Sequence, residues 1–229
     1  MNGKGERFKK AGFNIPKPLL PLPDGILWNK VSETYKMMEL PCILLPRRDQ
    51  GETVVPAIPF DTSGPLETVL CAKGVEKIQE DLLIADCDSF FENPQELWDA
   101  VEEFRKSNAG GGVTVRKVSN EKVSSCIIED GFATKFSDNL PSTAWSYMSY
   151  QGVPEWSPTG PYYWKSWDTF YKCALQAYWD GVTSIAPVYN YLKEPVRAVE
   201  VKSFVHLGTP DAYVKYCRSK LSELETPST

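Results

Sequence analysis

The chain has 229 residues, 42% of them hydrophobic and 24% charged, with a formal net charge of −5. That length supports one sizeable core, read here as a single α/β domain over residues 1–222 followed by a short tail at 223–229. The acidic balance argues against broad nucleic-acid binding, and no run of about eighteen apolar residues offers a membrane span.

The N-terminus is charged and glycine-rich where a secretory signal would need an apolar stretch, so the expected location is cytoplasmic. Cys42, Cys71, Cys87, Cys126, Cys173 and Cys217 lie far apart with no Cys-x-x-Cys pair, which reads as reduced, mostly buried thiols and not as a zinc site.

The opening eighteen residues concentrate positive charge: Lys4, Arg7, Lys9, Lys10 and Lys17 stand against Glu6 alone. Gly3 and Gly5, one residue apart, permit a turn in which several backbone N–H groups converge on an anion with no Cβ in the way. Arg7 adds a planar fork suited to bidentate phosphate contact, and Lys17 a compact ammonium. A solvated basic loop would carry the same residues, so the glycines alone do not decide between the two. Ligand loops of this type normally follow a buried strand. None precedes this one in the sequence, so the expectation is either an apolar segment upstream of Met1 or a sheet whose central slot is filled differently.

Residues 26–38 carry an imperfect helical stripe, and Cys42–Leu45 and Thr53–Pro59 are short extended segments. The link from Arg47 to Glu52 is too short for the crossover that parallel neighbours need. Gly64-Pro65 predicts a turn, with a helix over Thr68–Ile78 whose free N–H groups point back at it. Leu82–Ala85 reads as a buried strand ending in Asp86-x-Asp88. Residues two apart on a strand share a face, so these carboxylates converge and repel unless a divalent cation or a cationic partner neutralises them. Magnesium is the natural resolution. A solvated turn with one capping aspartate is the alternative.

Pro94–Lys106 is a clear amphipathic helix with Leu97, Trp98, Val101 and Phe104 on one face. Gly110-Gly-Gly leads into a strand, and Val123–Glu129 with Gly131–Phe136 form a hairpin about Asp130-Gly131. Aromatic residues crowd between Trp145 and Trp179, where most are read as packing, although such faces also suit a sugar ring or the seam of a homo-oligomer. Val196–Phe204 alternates as one strand, and a helix runs from Asp211, taken as its cap, to about Leu224. His206 is the only histidine. It is equally a structural imidazole or a ligand.

Gly3-x-Gly5-x-Arg7-Phe8, followed by Pro16-Lys17-Pro18-Leu19-Leu20-Pro21, resembles the signature of the nucleotidyltransferases that activate sugar 1-phosphates and related small phosphates. The resemblance extends along most of the chain as short matches in order. It implies a mixed, mainly parallel sheet in a three-layer, Rossmann-like nucleotide-diphospho-sugar transferase fold, here lacking the usual first strand. It also implies transfer of a nucleotidyl group from a nucleoside triphosphate to a phosphorylated acceptor such as a sugar 1-phosphate, with release of pyrophosphate and for synthesis of surface-polysaccharide or related precursors. On this resemblance Gly3, Gly5 and Arg7 hold the triphosphate, Lys17 sits at the reacting phosphates, and Gly64 and Thr68 line the base. Asp86 and Asp88 hold magnesium, with His206 where relatives often carry an acidic ligand. The family's Glu-Lys pair is Thr134-Lys135 here, so only Lys135 carries over, as the acceptor's phosphate ligand. Gly160 and Tyr162 would edge the acceptor pocket. A metal-dependent glycosyltransferase of the same fold using Asp86, Asp88 and His206, and a non-catalytic relative, are the competing readings.

Overall fold

The computed structural model describes residues 5–36, 62–72, 81–118, 124–138 and 156–225. The extended segments expected at Cys42–Leu45 and Thr53–Pro59 lie outside them, as do Gly3 and the first part of the aromatic tract. A six-stranded sheet of order β3-β8-β5-β9-β7-β6 forms the centre. Its strands are β3 (Leu82–Ile84), β5 (Gly111–Lys117), β6 (Ser125–Glu129), β7 (Phe132–Ser137), β8 (Trp156–Trp164) and β9 (Val196–Glu200). Of the described pairings in this sheet, β5 with β9 is parallel and the others are antiparallel. Strands β3, β5 and β9 still point the same way, because β8 is inserted antiparallel between β3 and β5. At Trp156, β8 also meets Cys126 of β6, so β8, β5, β9, β7 and β6 close on themselves.

Helices cover both faces of the sheet. α4 (Pro94–Lys106) starts at Asn93, whose side chain accepts from the Gln95 N–H at 3.3 Å, and has Pro94 in its first turn, where a missing N–H costs nothing. Its Leu97, Val101 and Phe104 are buried against one face, beside Tyr163. Each such side chain contributes roughly 1.5–3 kcal/mol. α5 (Trp167–Trp179) covers the opposite face with Trp167, Phe170, Ala174 and Ala177, against Val113, Val115, Tyr162 and Trp164. It begins at Trp167 because Ser166 accepts from the Thr169 N–H at 3.2 Å and caps it there. The aromatic tract mostly packs: Trp164 stacks on Tyr189 with centroids 4.4 Å apart, and of its described members only Tyr171 (38%) and Trp179 (81%) stand out as exposed large side chains.

A second layer of structure rests on the end of the sheet. It comprises α1 (Glu6–Lys10), a 3₁₀ turn at Lys17–Leu19, the tiny hairpin of β1 (Pro21–Leu22) and β2 (Gly25–Ile26), and α2 (Leu27–Lys36). To these are added β4 (Ser89–Phe91), β10 (Phe204–His206) and α6 (Pro210–Glu225). Phe8, Leu20, Leu22, Leu27, Val31, Phe90, Leu207 and Tyr213 form its core.

Four sequence expectations are corrected here. The single strand expected over Val196–Phe204 is two: Glu96 accepts from the N–H groups of Lys202 (2.7 Å) and Ser203 (2.8 Å), and the Glu92 N–H donates to Ser203 O at 2.9 Å. Those bonds draw the chain out of the main sheet after Glu200 and into an antiparallel pair with β4. The helix expected from Thr68 starts instead at Pro65 and is described to Leu70 as α3. The cap of α6 is Thr209, whose hydroxyl accepts from the Ala212 N–H at 3.2 Å, and not Asp211. α6 continues to Glu225, into the stretch read as a tail.

Candidate functional site

Strand β3 delivers the two acids. Ile84 is buried, the strand stops there, and Asp86 and Asp88 follow at its C-terminal end, where ligands collect in open α/β sheets. Immediately afterwards β4 pairs with β10, with Ser89 opposite His206. That register, fastened by the Leu207 N–H to Asp88 O bond at 2.8 Å, brings the chain's one histidine beside Asp88: its Nδ1 lies 3.8 Å from Asp88 Oδ1. Gly208 then passes so close that a Cβ there would sit 2.1 Å from His206 Nε2. The glycine is a requirement of that approach.

Lys17 arrives from a segment 71 residues away in the chain. Pro16 and Pro18 fix the backbone on either side, Pro18 is buried, and the ammonium is aimed at Asp88. Lys17 Nζ is ion-paired with Asp88 Oδ2, donates to Gly208 O at 3.3 Å and lies 5.3 Å from the centre of the Phe8 ring. Phe8 belongs to α1, which Gly5 opens in the left-handed region at φ 64°, so this glycine supplies a backbone conformation that a side chain would strain. Arg7, its neighbour, is exposed.

The electrostatics follow from this packing. Burial, with the Asp88 carboxylate as the next influence, pushes Asp86 up to about 7. Burial would also raise Asp88, but the Lys17 ammonium and then His206 outweigh it and hold Asp88 below the usual carboxylate range. His206 is lowered, first by desolvation and further by the charges of Lys17, Arg116 and Arg7, against the opposing pull of Asp88. Arg7 and Asp88, from opposite ends of the sequence pattern, therefore act on one imidazole. Phe8 and Lys17 of the opening segment thus meet Asp88 and His206.

Gly160 and Tyr162 of β8 border the same acids. Gly160 has φ 56°, and a Cβ there would lie 3.5 Å from Asp86 Oδ2 and 3.2 Å from the Tyr162 ring. The Tyr162 phenol is pushed well up by burial and then by Asp86. Behind it, Thr114 of β5 and Thr159 share a 2.7 Å hydroxyl bond, Thr114 Oγ1 is 3.3 Å from Gly160 O, and both threonines are buried. This network fixes the wall of the site and had no recognisable sequence signal.

Gly64, Thr68 and Lys135 have other immediate partners. Gly64 is packed on the turn after α5, where a Cβ would lie 2.4 Å from Thr183 O, and the Leu66 N–H donates to that same oxygen at 3.0 Å. Thr68 is buried, with its hydroxyl bonded to Gly64 O at 3.0 Å and to Thr62 at 2.7 Å. Lys135 is exposed on β7 at φ 50°, with its neighbour Phe136 tied to Asn190. Among the described residues no contact joins these three to the aspartates.

As a place for magnesium, the two carboxylates fit: both are oxygen donors, Asp86 is crowded by Asp88, and magnesium is commonly held by one or two carboxylates with phosphate oxygens and waters completing the shell. The His206 nitrogen suits a softer ion better. No group of three or more His, Cys, Asp and Glu among the described residues converges as an ion-binding set by itself, so a cation here would draw ligands from a bound phosphate.

No family model matches the chain, and no curated protein matches it in sequence. Solved structures do match in fold. A nucleoside-diphosphate-sugar pyrophosphorylase from Vibrio cholerae RC9 superposes with a TM-score of 0.70 at 19% identity, covering 95% of this chain and 98% of its own. A UTP-bound UGPase from Acinetobacter baumannii gives 0.71 at 16% identity, covering 99% and 92%. A CMP:2-keto-3-deoxy-manno-octonic acid synthetase complexed with CTP gives 0.59 at 13% identity, covering 90% and 92%. The likeness to nucleotidyltransferases read from the opening motif thus holds at the level of the fold.

Proposed function

We propose that this chain is a nucleotidyltransferase, moving a nucleotidyl group from a nucleoside triphosphate to a small phosphorylated acceptor and releasing pyrophosphate. The observation that carries the reading is the convergence of Lys17 on Asp88, with Asp86 beside them and His206 3.8 Å from Asp88. The fold neighbours include a pyrophosphorylase and UTP- and CTP-bound chains, which supports a triphosphate as donor.

An acceptor phosphate oxygen attacks the α-phosphorus, the bond to the bridging oxygen of the β-phosphate breaks, and pyrophosphate carries the electron pair away. Such in-line transfer depends on positioning and on neutralising charge more than on proton transfer, which suits a site with one exposed histidine. Arg7 grips triphosphate oxygens from α1. Lys17 exchanges Asp88 for the phosphates, since a charge-assisted bond to a phosphate oxygen replaces the one it makes to the carboxylate. Asp86 and Asp88 hold magnesium, which when bound offsets charge developing on the phosphate oxygens. Gly160, with no side chain, leaves room for the acceptor beside Asp86, and Tyr162 forms the wall. A sugar 1-phosphate is the acceptor we favour, from the motif resemblance and the sugar-nucleotide neighbours.

The test is pyrophosphate release from ATP, GTP, CTP, UTP and dTTP with magnesium, against sugar 1-phosphates and phosphocholine. Release dependent on an acceptor is expected with at least one pair. Release of a nucleoside diphosphate from a nucleotide sugar, with no pyrophosphate from any triphosphate, would reassign the chain to glycosyl transfer.

A further inference from the structure

A triphosphate and a phosphorylated acceptor bring several negative charges to this site, and Arg7 and Lys17 are the two cationic side chains placed there so far. A third cation stands at the right place. Arg116 is the sixth residue of β5, half-buried and near the C-terminal end of the strand, which runs in the same direction as β3 and so ends on the same side of the sheet as Asp86 and Asp88.

Strand alternation puts Arg116 on the same face of β5 as Thr114 and Gly112. Thr114 is the buried hydroxyl bonded to Thr159 and Gly160 O, and Gly160 is the residue whose missing Cβ opens the space beside Asp86. Across β5 and β8, Arg116 pairs with Ser157, which continues the Thr159–Gly160 wall. From this position its charge reaches His206 together with those of Lys17 and Arg7. The backbone beneath it is held: Val115 O, one residue before, accepts from the Val201 N–H at 2.9 Å, and the β5–β8 pairing continues to Lys117 and Trp156.

We infer that Arg116 is a phosphate-binding residue of this site, gripping a phosphoryl group of the bound substrates from the sheet side while Arg7 and Lys17 hold phosphate from the N-terminal segment. Its planar fork offers two parallel N–H donors to a phosphate, and its charge is permanent. The role is the one the motif resemblance assigned to Lys135, which lies exposed on β7. The inference rests on the proposed nucleotidyl transfer only in naming the ligand; phosphate binding itself is measurable without turnover.

The experiment is calorimetric titration of the full chain with magnesium pyrophosphate and, separately, with inorganic phosphate, on wild type, Arg116→Gln, Arg116→Lys, Arg7→Gln and Lys135→Gln. Loss of a bidentate charge-assisted contact weakens binding by roughly ten- to a hundredfold. Arg116→Gln is expected to show that loss with at least one probe, Arg116→Lys to recover part of it, and Lys135→Gln to bind as wild type. Weakening confined to pyrophosphate assigns Arg116 to the triphosphate, and weakening confined to inorganic phosphate assigns it to the acceptor. Unchanged thermal midpoints separate these losses from misfolding. If Arg7→Gln weakens binding and Arg116→Gln does not, the inference is wrong and the proposed function stands. If the wild type binds neither probe, both are wrong.

Discussion

Replacing Lys17 by methionine keeps the length of the side chain and deletes its charge. The ammonium is paired with Asp88, donates to no other described carboxylate, and lies over the Phe8 ring at 5.3 Å. Breaking a fully buried ion pair by removing one partner costs about 3–5 kcal/mol because the other charge is stranded. Here the two side chains keep 22% and 14% of their exposure, so water relieves part of that penalty and about 1–3 kcal/mol remains, including about 0.5 kcal/mol from the ring contact. In a chain of this size that lowers the midpoint of thermal unfolding by roughly 2–4 °C per kcal/mol. The assay is urea or thermal unfolding of Lys17→Met, Asp88→Asn and the double variant at neutral pH. The stranded-charge argument requires the double variant to be more stable than the sum of the single losses predicts, by about 1 kcal/mol or more. Additivity within about 0.5 kcal/mol, the scatter of independent sites, would refute it.

Other expectations follow from the packing around this site. Glu96→Gln should cost about 1–2 kcal/mol, measured by denaturant unfolding, since the carboxylate accepts from two backbone N–H groups and the Ser203 hydroxyl. Although burial opposes them, those bonds hold Glu96 below its ordinary 4.5, so the charge-dependent part of its stabilisation is present above that pH and lost as pH falls through the lowered folded value; the gap between variant and wild type should close in acid. Gly112→Ala would place a Cβ 2.3 Å from the Phe104 ring and should lower stability by about 1–3 kcal/mol, with Phe104→Leu in the same chain recovering part of it; equal thermal midpoints for Gly112→Ala and wild type would contradict the close α4–β5 contact. Gly208→Ala should displace His206 from Asp88, and its effect is read from the His206 ring resonances in NMR, which would otherwise keep their wild-type positions.

Elements whose signals are local were legible in the sequence. Pro94–Lys106 matches α4 residue for residue, because proline, an asparagine cap and a regular apolar face all act within that segment. Asp130-Gly131 gives a tight hairpin with both residues at positive φ, 49° and 79°. The Asp-x-Asp at the end of a buried strand was also legible, as was its neighbourhood with the basic opening segment. What escaped was set by distant partners. Nothing within Val196–Phe204 announces that Glu96 will capture Lys202 and Ser203 and divert the strand, yet that diversion is what pairs β10 with β4 and brings His206 to Asp88. Arg116 likewise looks like any polar strand residue until the direction of β5 is known. Gly64 and Thr68 have helix-start chemistry, and the fold uses it to dock α3 on the turn after α5.

The most direct test of a shared phosphate and metal site is calorimetric binding of UTP to wild type and Asp88→Asn, each with and without magnesium. The account predicts that magnesium tightens UTP binding to the wild type by at least tenfold, about 1.4 kcal/mol, and that Asp88→Asn, folded with an unchanged near-UV spectrum, loses that gain. An equal gain in both proteins would place the metal away from Asp88 and contradict the account.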